Sequence, residues 1–181
     1  MSIVSKKGDD GWTTLIDGSS VEKSDLQPSG YGTVDELFSF SGVLKSLCKE
    51  NNIIIQDKGS AVDVFDKIQQ RLIVLMAELA TPKKMVSTLL KDRIKEEDII
   101  FIEELIYDLE NKTGKIDGFV IPGANIIEAS SHFARTICRR AERQIVAMRS
   151  SLDENSLVIP FINRLSDFFF IFAVYISKDH R

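Results

Sequence analysis

Apolar residues recur every three or four positions along most of this chain and hardly anywhere at every second one. That spacing constrains the fold more than any other feature, because it gathers side chains onto one face only when the backbone is an α-helix. Five segments read as helices, and four of them carry it cleanly. The first starts at Thr33-Val34-Asp35-Glu36, a capping-box spacing, and shows Leu37, Phe40, Leu44 and Leu47. The second starts near Ser60, with Asp63 three residues on, shows Phe65, Ile68, Leu72, Leu75 and Leu79, and stops at Thr81-Pro82. The third shows Ile99, Ile102, Ile106 and Leu109 and ends around Lys112-Thr113-Gly114. The fourth follows Pro122-Gly123 and runs to about Arg149, with Ile126, Phe133, Ile137, Ala141, Ile145 and Met148 on one side. The fifth follows Asp153-Glu154-Asn155 and shows Ile162, Leu165, Phe169 and Phe172. No segment alternates as a half-buried strand does, so the expected fold is an all-α, five-helix up-and-down bundle. From Phe168 to Tyr175 the last helix is apolar all round, and a helix-mediated oligomer is expected to cover what one bundle leaves bare.

A length of 181 residues suits one domain, with a helical part over 31–178 and a distinct N-terminal segment over 1–30. That segment is punctuated by glycine and lacks any sustained period. The chain has 23 Lys and Arg against 27 Asp and Glu, a net charge of −4, which argues against a nucleic-acid partner. Its two cysteines, Cys48 and Cys138, form neither a CxxC pair nor a disulfide framework. The N-terminus lacks the apolar stretch of a secretory signal. The run Phe168 to Ile176 has about half the roughly 20 residues of a membrane span. A cytoplasmic protein with no membrane partner is expected.

Three places do not fit a plain bundle. Arg135, Arg139 and Arg143 recur every four residues on the fourth helix, beside Arg140 and Glu142. The plain reading is a solvated outer face. The functional one is a cradle for a polyanion, since guanidinium forks match phosphate oxygens. Asn163, Ser166 and Asp167 share one side of the fifth helix just ahead of its aromatic run, either as a solvent-facing first turn or as partners for a ligand. The loop Ser5-Lys6-Lys7-Gly8-Asp9-Asp10-Gly11-Trp12-Thr13-Thr14 lacks the P-loop and EF-hand spacings. It reads as a glycine turn, yet its glycines, hydroxyls and lysines are also what a backbone cradle for phosphates contains. Other chemistries fail. Glu128 and His132 lack the second Glu-x-x-His unit of a di-iron bundle, so His132 is read as a packing or hydrogen-bonding residue. No His and Cys set has zinc spacing, and no GxSxG elbow supports a Ser-His-Asp triad.

Four blocks, in order, make the chain resemble one family. Lys6 to Thr14 is similar to its T-R/K-x-G-D-x-G-x-T loop, with Lys23 and Asp25 following as in its K-x-D. Tyr31 to Leu37 matches Y-G-x-V-D-E-L, and Phe119 to Gly123 matches F-V-I-P-G. Ala134 to Arg143 reads A-R-T-I-C-R-R-A-E-R, followed by Asn163-Arg164-Leu165-Ser166-Asp167. On these motifs the chain is identified as a member of the ATP:cob(I)alamin adenosyltransferases of the propanediol-utilisation type.

That resemblance implies a ferritin-like five-helix bundle assembled as a homotrimer, with sites between subunits. It implies transfer of the 5′-deoxyadenosyl group of ATP to Co(I) of a reduced corrinoid, giving adenosylcobalamin and triphosphate. Ser5, Lys6, Gly8, Asp9, Gly11, Thr13 and Lys23 would wrap the nucleotide, with Arg139, Glu142, Arg143 and Asn163 also on the ATP side. Arg139 would neutralise the triphosphate, and Asp35 would pair with Arg135 of the adjoining subunit. Phe119 would press on the lower corrin face, with Asp35, Arg135 and Asp167 completing the corrinoid side. Mg²⁺ would come with ATP rather than on protein side chains. A flavin-type reductase and an adenosylcobalamin-dependent client enzyme are the implied partners. A carrier that binds nucleotide or corrinoid and delivers adenosylcobalamin without turnover is the alternative; a purely structural oligomer leaves the arginine row unexplained. The sequence departs from the family pattern at Trp12, Thr14, Gln27, Phe38 and Ala124.

Overall fold

The computed structural model describes residues 4, 6, 8–55, 59–116 and 118–179. Among these the chain is mostly helical, with six helices and two two-stranded sheets. Strands β1 (Trp12–Thr14) and β2 (Ser20–Glu22) form an antiparallel hairpin in which Thr13 faces Val21. Helix α1 (Leu26–Glu50) follows, then the two-residue strands β3 (Ile54–Ile55) and β4 (Gly59–Ser60). The remaining helices are α2 (Ala61–Leu79), the single turn α3 (Val86–Leu89), α4 (Glu96–Thr113), α5 (Ile126–Ala147) and α6 (Val158–Asp179).

Two sequence-based boundaries give way here. The N-terminal segment is not all loop, and α1 starts at Leu26 rather than at Thr33. Pro28 sits in the first turn, where a missing N–H removes no helical bond. Gly30 is in the helix because a Cβ there would lie 2.9 Å from Met148 Sδ, beyond the end of α5. The Gln27 amide donates to Leu79 O at 2.8 Å, tying the start of α1 to the end of α2. Thr33 is no cap: its hydroxyl donates back to Ser29 O at 2.9 Å. The other helices keep their expected limits. Ser60 accepts from Val62 N at the start of α2, and Lys95 N donates to Asp98 to cap α4.

Helix α6 is the core. It packs against α5 and α4, α5 packs against α1, and α1 against α2. Phe65 of α2 closes the arrangement by meeting Phe168, Phe169 and Phe172 of α6. By length and composition Val158–Lys178 could cross a membrane, but it is largely buried inside the protein. One chain therefore already covers α6 on several sides, from Phe161 through Ile176, and no oligomer is needed for that. The exposed apolar surface lies elsewhere. Ile126 and Phe133, expected in the core, are 64% and 53% exposed, and Phe133 meets Phe40 of α1 edge-on. Ile137, Ala141, Ile145 and Met148 are buried as expected, and Ile127, Ser131, Ala134 and Cys138 complete the buried stripe of α5. Small side chains let α5 approach both α1 and α6, and a search for large apolar residues overlooks them.

Candidate active site

The hairpin and the loop before it enclose a cleft of about 700 Å³. Lys6, Gly8, Asp9, Asp10, Trp12, Thr13, Thr14, Ser20 and Lys23 line it. Ser5 and Lys7 lie outside the described residues. Gly8 and Gly11 have φ near +86° and +87°, the left-handed region that only glycine enters without strain. At Gly8 the space is also closed, since a Cβ would sit 2.7 Å from Trp12 O and 3.0 Å from Lys23 Nζ. Gly11 N donates to Gly8 O, Lys23 N donates to Gly11 O, and Lys23 Nζ donates to Gly8 O at 2.6 Å. Trp12 N donates to Asp10 Oδ1 at 3.1 Å. The result is a turn of polar backbone with a lysine ammonium folded across it.

A second group of candidates meets where α5 crosses α6. Asn163 Nδ2 donates to Glu142 Oε1 at 2.9 Å, while Arg164 Nη1 donates to Asn163 Oδ1 at 3.0 Å and to Asp167 Oδ2 at 2.9 Å. Arg164 Nε in turn donates to Glu103 of α4 at 3.0 Å. Cys138 Sγ, buried behind them, donates to Ile162 O and stitches the two helices. Burial raises its thiol pKa well above the usual range, and the nearby Glu142 and Asp167 carboxylates add to the rise. Ser166 is buried, whereas Asn163 is half-buried and Asp167 exposed. The arginine row is not uniform. Arg140 pairs with Glu36 of α1. Arg139 and Arg143 are exposed and, among the described residues, have no carboxylate partner. Among the described residues these two guanidiniums, four residues apart on the helix whose Glu142 holds Asn163, are free of a carboxylate partner and suited to a multiply charged anion.

Phe119 is fully exposed on the loop between α4 and α5. It lines an open cavity of about 450 Å³ with Val120, Ile121, Ala124, Val174 and Lys178. Asp35 is exposed on α1, and Arg135 is half-buried on α5 with its Nε buried and unpartnered. Within one chain the structure joins Glu142 to Asn163 and places Asp167 beside them. Among the described residues no hydrogen bond or ion pair joins Asp35 to Arg135, or the glycine-loop cleft to Arg139, Arg143 or Asn163.

A family model described as cobalamin adenosyltransferase matches residues 3–176. The chain belongs to the cobalamin adenosyltransferase family. A corrinoid adenosyltransferase of Citrobacter freundii is 40% identical to this family member over 171 residues, covering 94% of this chain and 92% of that one. One from Bacillus subtilis (strain 168) is 32% identical over 176 residues, covering 96% and 85%. The fold is also similar to a solved variant PduO-type ATP:corrinoid adenosyltransferase from Lactobacillus reuteri, complexed with cobalamin and ATP. The TM-score is 0.85 at 34% identity, over 97% of this chain and 93% of that one.

Several residues that shape the site of this cobalamin adenosyltransferase family member had no site role in the motif reading, although Trp12, Thr14 and Arg164 stand inside its motifs. Trp12, Thr14 and Ser20 line the cleft because the hairpin brings them there. Arg164 orients both Asn163 and Asp167. Glu128 accepts from Gly123 N at 2.7 Å and Ala124 N at 3.1 Å, and Asn125 caps α5 by accepting from Ile127 N and Glu128 N. Asn125 and Glu128 stand three apart, the spacing of an N-terminal cap with a returning carboxylate, so that signal was present.

Proposed function

We infer that this chain transfers the 5′-deoxyadenosyl group of ATP to the Co(I) centre of a reduced corrinoid, forming adenosylcobalamin and releasing triphosphate. Co(I) supplies the electron pair for the new Co–C5′ bond, and the C5′–O bond to triphosphate breaks. The metal is already a potent nucleophile, so no general base is required. What the protein contributes is alignment of cobalt with C5′ and stabilisation of charge on the departing triphosphate.

The observation that carries this reading is the pair of exposed guanidiniums, Arg139 and Arg143, without a carboxylate partner among the described residues, on the helix whose Glu142 fixes the Asn163 amide together with Arg164. Arg139 takes the leaving triphosphate. Lys6, Gly8, Asp9, Gly11, Thr13 and Lys23 wrap it from the glycine-loop cleft, together with Ser5. Among the described residues no three His, Cys, Asp or Glu side chains gather into a metal site. Mg²⁺ is proposed to enter on the phosphate oxygens of ATP. Phe119 faces the lower side of the corrin and keeps a nitrogen ligand off cobalt, easing reduction of Co(II).

Among the described residues no hydrogen bond or ion pair joins the two halves of the ATP site within one chain, and Arg135 Nε lacks a partner. We propose that copies of a five-helix up-and-down bundle assemble as a homotrimer, with Asp35 of one subunit pairing with Arg135 of the next. The exposed Val43, Ile126 and Phe133 on α1 and α5 offer apolar surface for that contact. A flavin-type reductase would supply Co(I), and an adenosylcobalamin-dependent enzyme in the cytoplasm would take the product. Incubation with ATP, Mg²⁺ and chemically reduced cobalamin should give the adenosylcobalamin spectrum with release of triphosphate. Binding of both substrates without conversion would instead mark a carrier and overturn the transfer reading.

A further inference from the structure

The loop that carries Phe119 is fastened by a buried carboxylate on the next helix. Glu128 is 1% exposed, an unusual place for a carboxylate unless its oxygens are satisfied. Its Oε2 accepts from two consecutive backbone amides, Gly123 N at 2.7 Å and Ala124 N at 3.1 Å. Its Oε1 approaches His132 Nε2 at 3.2 Å, off the axis of a hydrogen bond. The His132 ring is itself held by Phe170 of the core helix, with centroids 6.0 Å apart. Glu128 thus links the rigid interior to residues 123 and 124, four and five positions after a Phe119 ring that is fully exposed. Gly123 has φ +125°, and a loose chain at such a residue samples many conformations. The clamp on its amide and its neighbour's, together with Val120 packed on the core, sets the direction in which the preceding residues leave.

We propose that Glu128 is a positioning residue for corrinoid: by holding the Gly123 and Ala124 amides, it aims the Phe119 segment at the corrin face. The proposal rests on the reading of Phe119 given above. It separates two duties along α5, which carries triphosphate-binding guanidiniums in its second half and, in its first turn, the clamp for the corrinoid side. It also gives a reason for a carboxyl group at this buried position. A carboxylate oxygen accepts two N–H bonds more strongly than a neutral acceptor does.

The test uses full-length protein with ATP, Mg²⁺ and cobalamin, starting from Co(II) with a reductant and separately from Co(I). Glu128→Ala should speed amide exchange at Gly123 and Ala124, raise the corrinoid KM, and slow turnover from Co(II) by up to about 100-fold, the scale of a misplaced positioning group. The ATP KM should stay within twofold. Glu128→Gln, which keeps an acceptor at the same reach, should recover much of the loss. Glu128→Asp keeps the charge but withdraws the oxygens by one methylene, so it should behave like alanine; it serves if Glu128→Ala does not fold. Adding Glu128→Ala to Phe119→Ala should cost little more than Phe119→Ala alone.

Unchanged corrinoid kinetics in Glu128→Ala and Glu128→Asp would overturn the proposal. So would equal losses on the ATP and corrinoid sides, or a double variant as weak as the product of the two single effects. If Phe119→Ala alone proves silent, the reading of Phe119 fails, and the corrinoid KM and amide exchange of the Glu128 variants still decide the clamp. Changes in both uphold it for the rest of the loop, and no change removes it.

Discussion

Replacing Gly8 by alanine should weaken ATP binding more than the same change at Gly11, and the difference measures how closely the loop is packed. Both glycines hold φ near +86° to +87°. An L-residue in that region costs about 1–2 kcal/mol. At Gly11 nothing lies within 4 Å of an added Cβ, so the strain stands alone. At Gly8 the Cβ would meet Trp12 O at 2.7 Å, which is backbone and cannot step aside cheaply, and Lys23 Nζ at 3.0 Å. It would also push away the ammonium that donates to Gly8 O at 2.6 Å. Strain of about 1–2 kcal/mol lowers the population of the binding-competent loop by roughly 5- to 30-fold, and the apparent ATP affinity falls by the same factor. Gly11→Ala should therefore raise the ATP Kd by that factor, and Gly8→Ala by more. Isothermal titration with MgATP reads both, and the melting temperature should hardly move, because the helical core takes no part. Equal effects at the two positions, or wild-type affinity in Gly8→Ala, would refute the reasoning.

Arg139→Ala should lower kcat severely with ATP still bound, while lysine recovers only part because the two-pronged fork is lost; stopped-flow turnover of Co(I) checks it. The thiols should be inert in the native state, because burial pushes Cys48 up to about 12 and raises Cys138 well above its ordinary value. A disulfide reagent at pH 8 should therefore modify neither until urea unfolds the chain. Burial holds the His132 imidazole below its usual 6.5, against an opposing pull from Glu128. The unfolded chain then binds more protons than the folded one as pH drops below 6.5, so stability should fall on acidification. Urea midpoints measured between pH 7 and 5.5 should show that slope in the native protein and a flatter one in His132→Gln.

Large apolar residues made the five long helices legible in the sequence, and their ends were read from Pro82, Gly114 and the Ser60 cap. What the periodicity hid were places where backbone, rather than side chain, decides. Pro28 and Gly30 look like loop residues, yet a first-turn proline is harmless and Gly30 is required by Met148. The three-residue strands of the hairpin are too short for alternation to register. On α5 the first half of the core face mixes Ile127 with Ser131, Ala134 and Cys138, so a hydrophobic count found Ile137 and Ile145 but also pointed to Ile126 and Phe133, which face outward. The site motifs were legible residue by residue. Their supports were less so: Arg164 acts through hydrogen bonds to its neighbours' side chains, and the Asn125–Glu128 spacing signals a cap but not the bonds of Glu128 to the Gly123 and Ala124 amides. The exposure of Phe119 and the unpartnered Nε of Arg135 likewise emerge only in three dimensions.

Mixing two inactive variants tests most directly whether copies complete one another's active sites. Asp35→Ala and Arg139→Ala should each be nearly inactive alone. Unfolded together in equal amounts and refolded, they should recover up to about a quarter of native turnover, because one contact in four then joins an intact Asp35 to an intact Arg139 from different copies. A mixture that forms mixed assemblies, shown by mass spectrometry, yet stays as inactive as its parents would contradict a site shared between subunits.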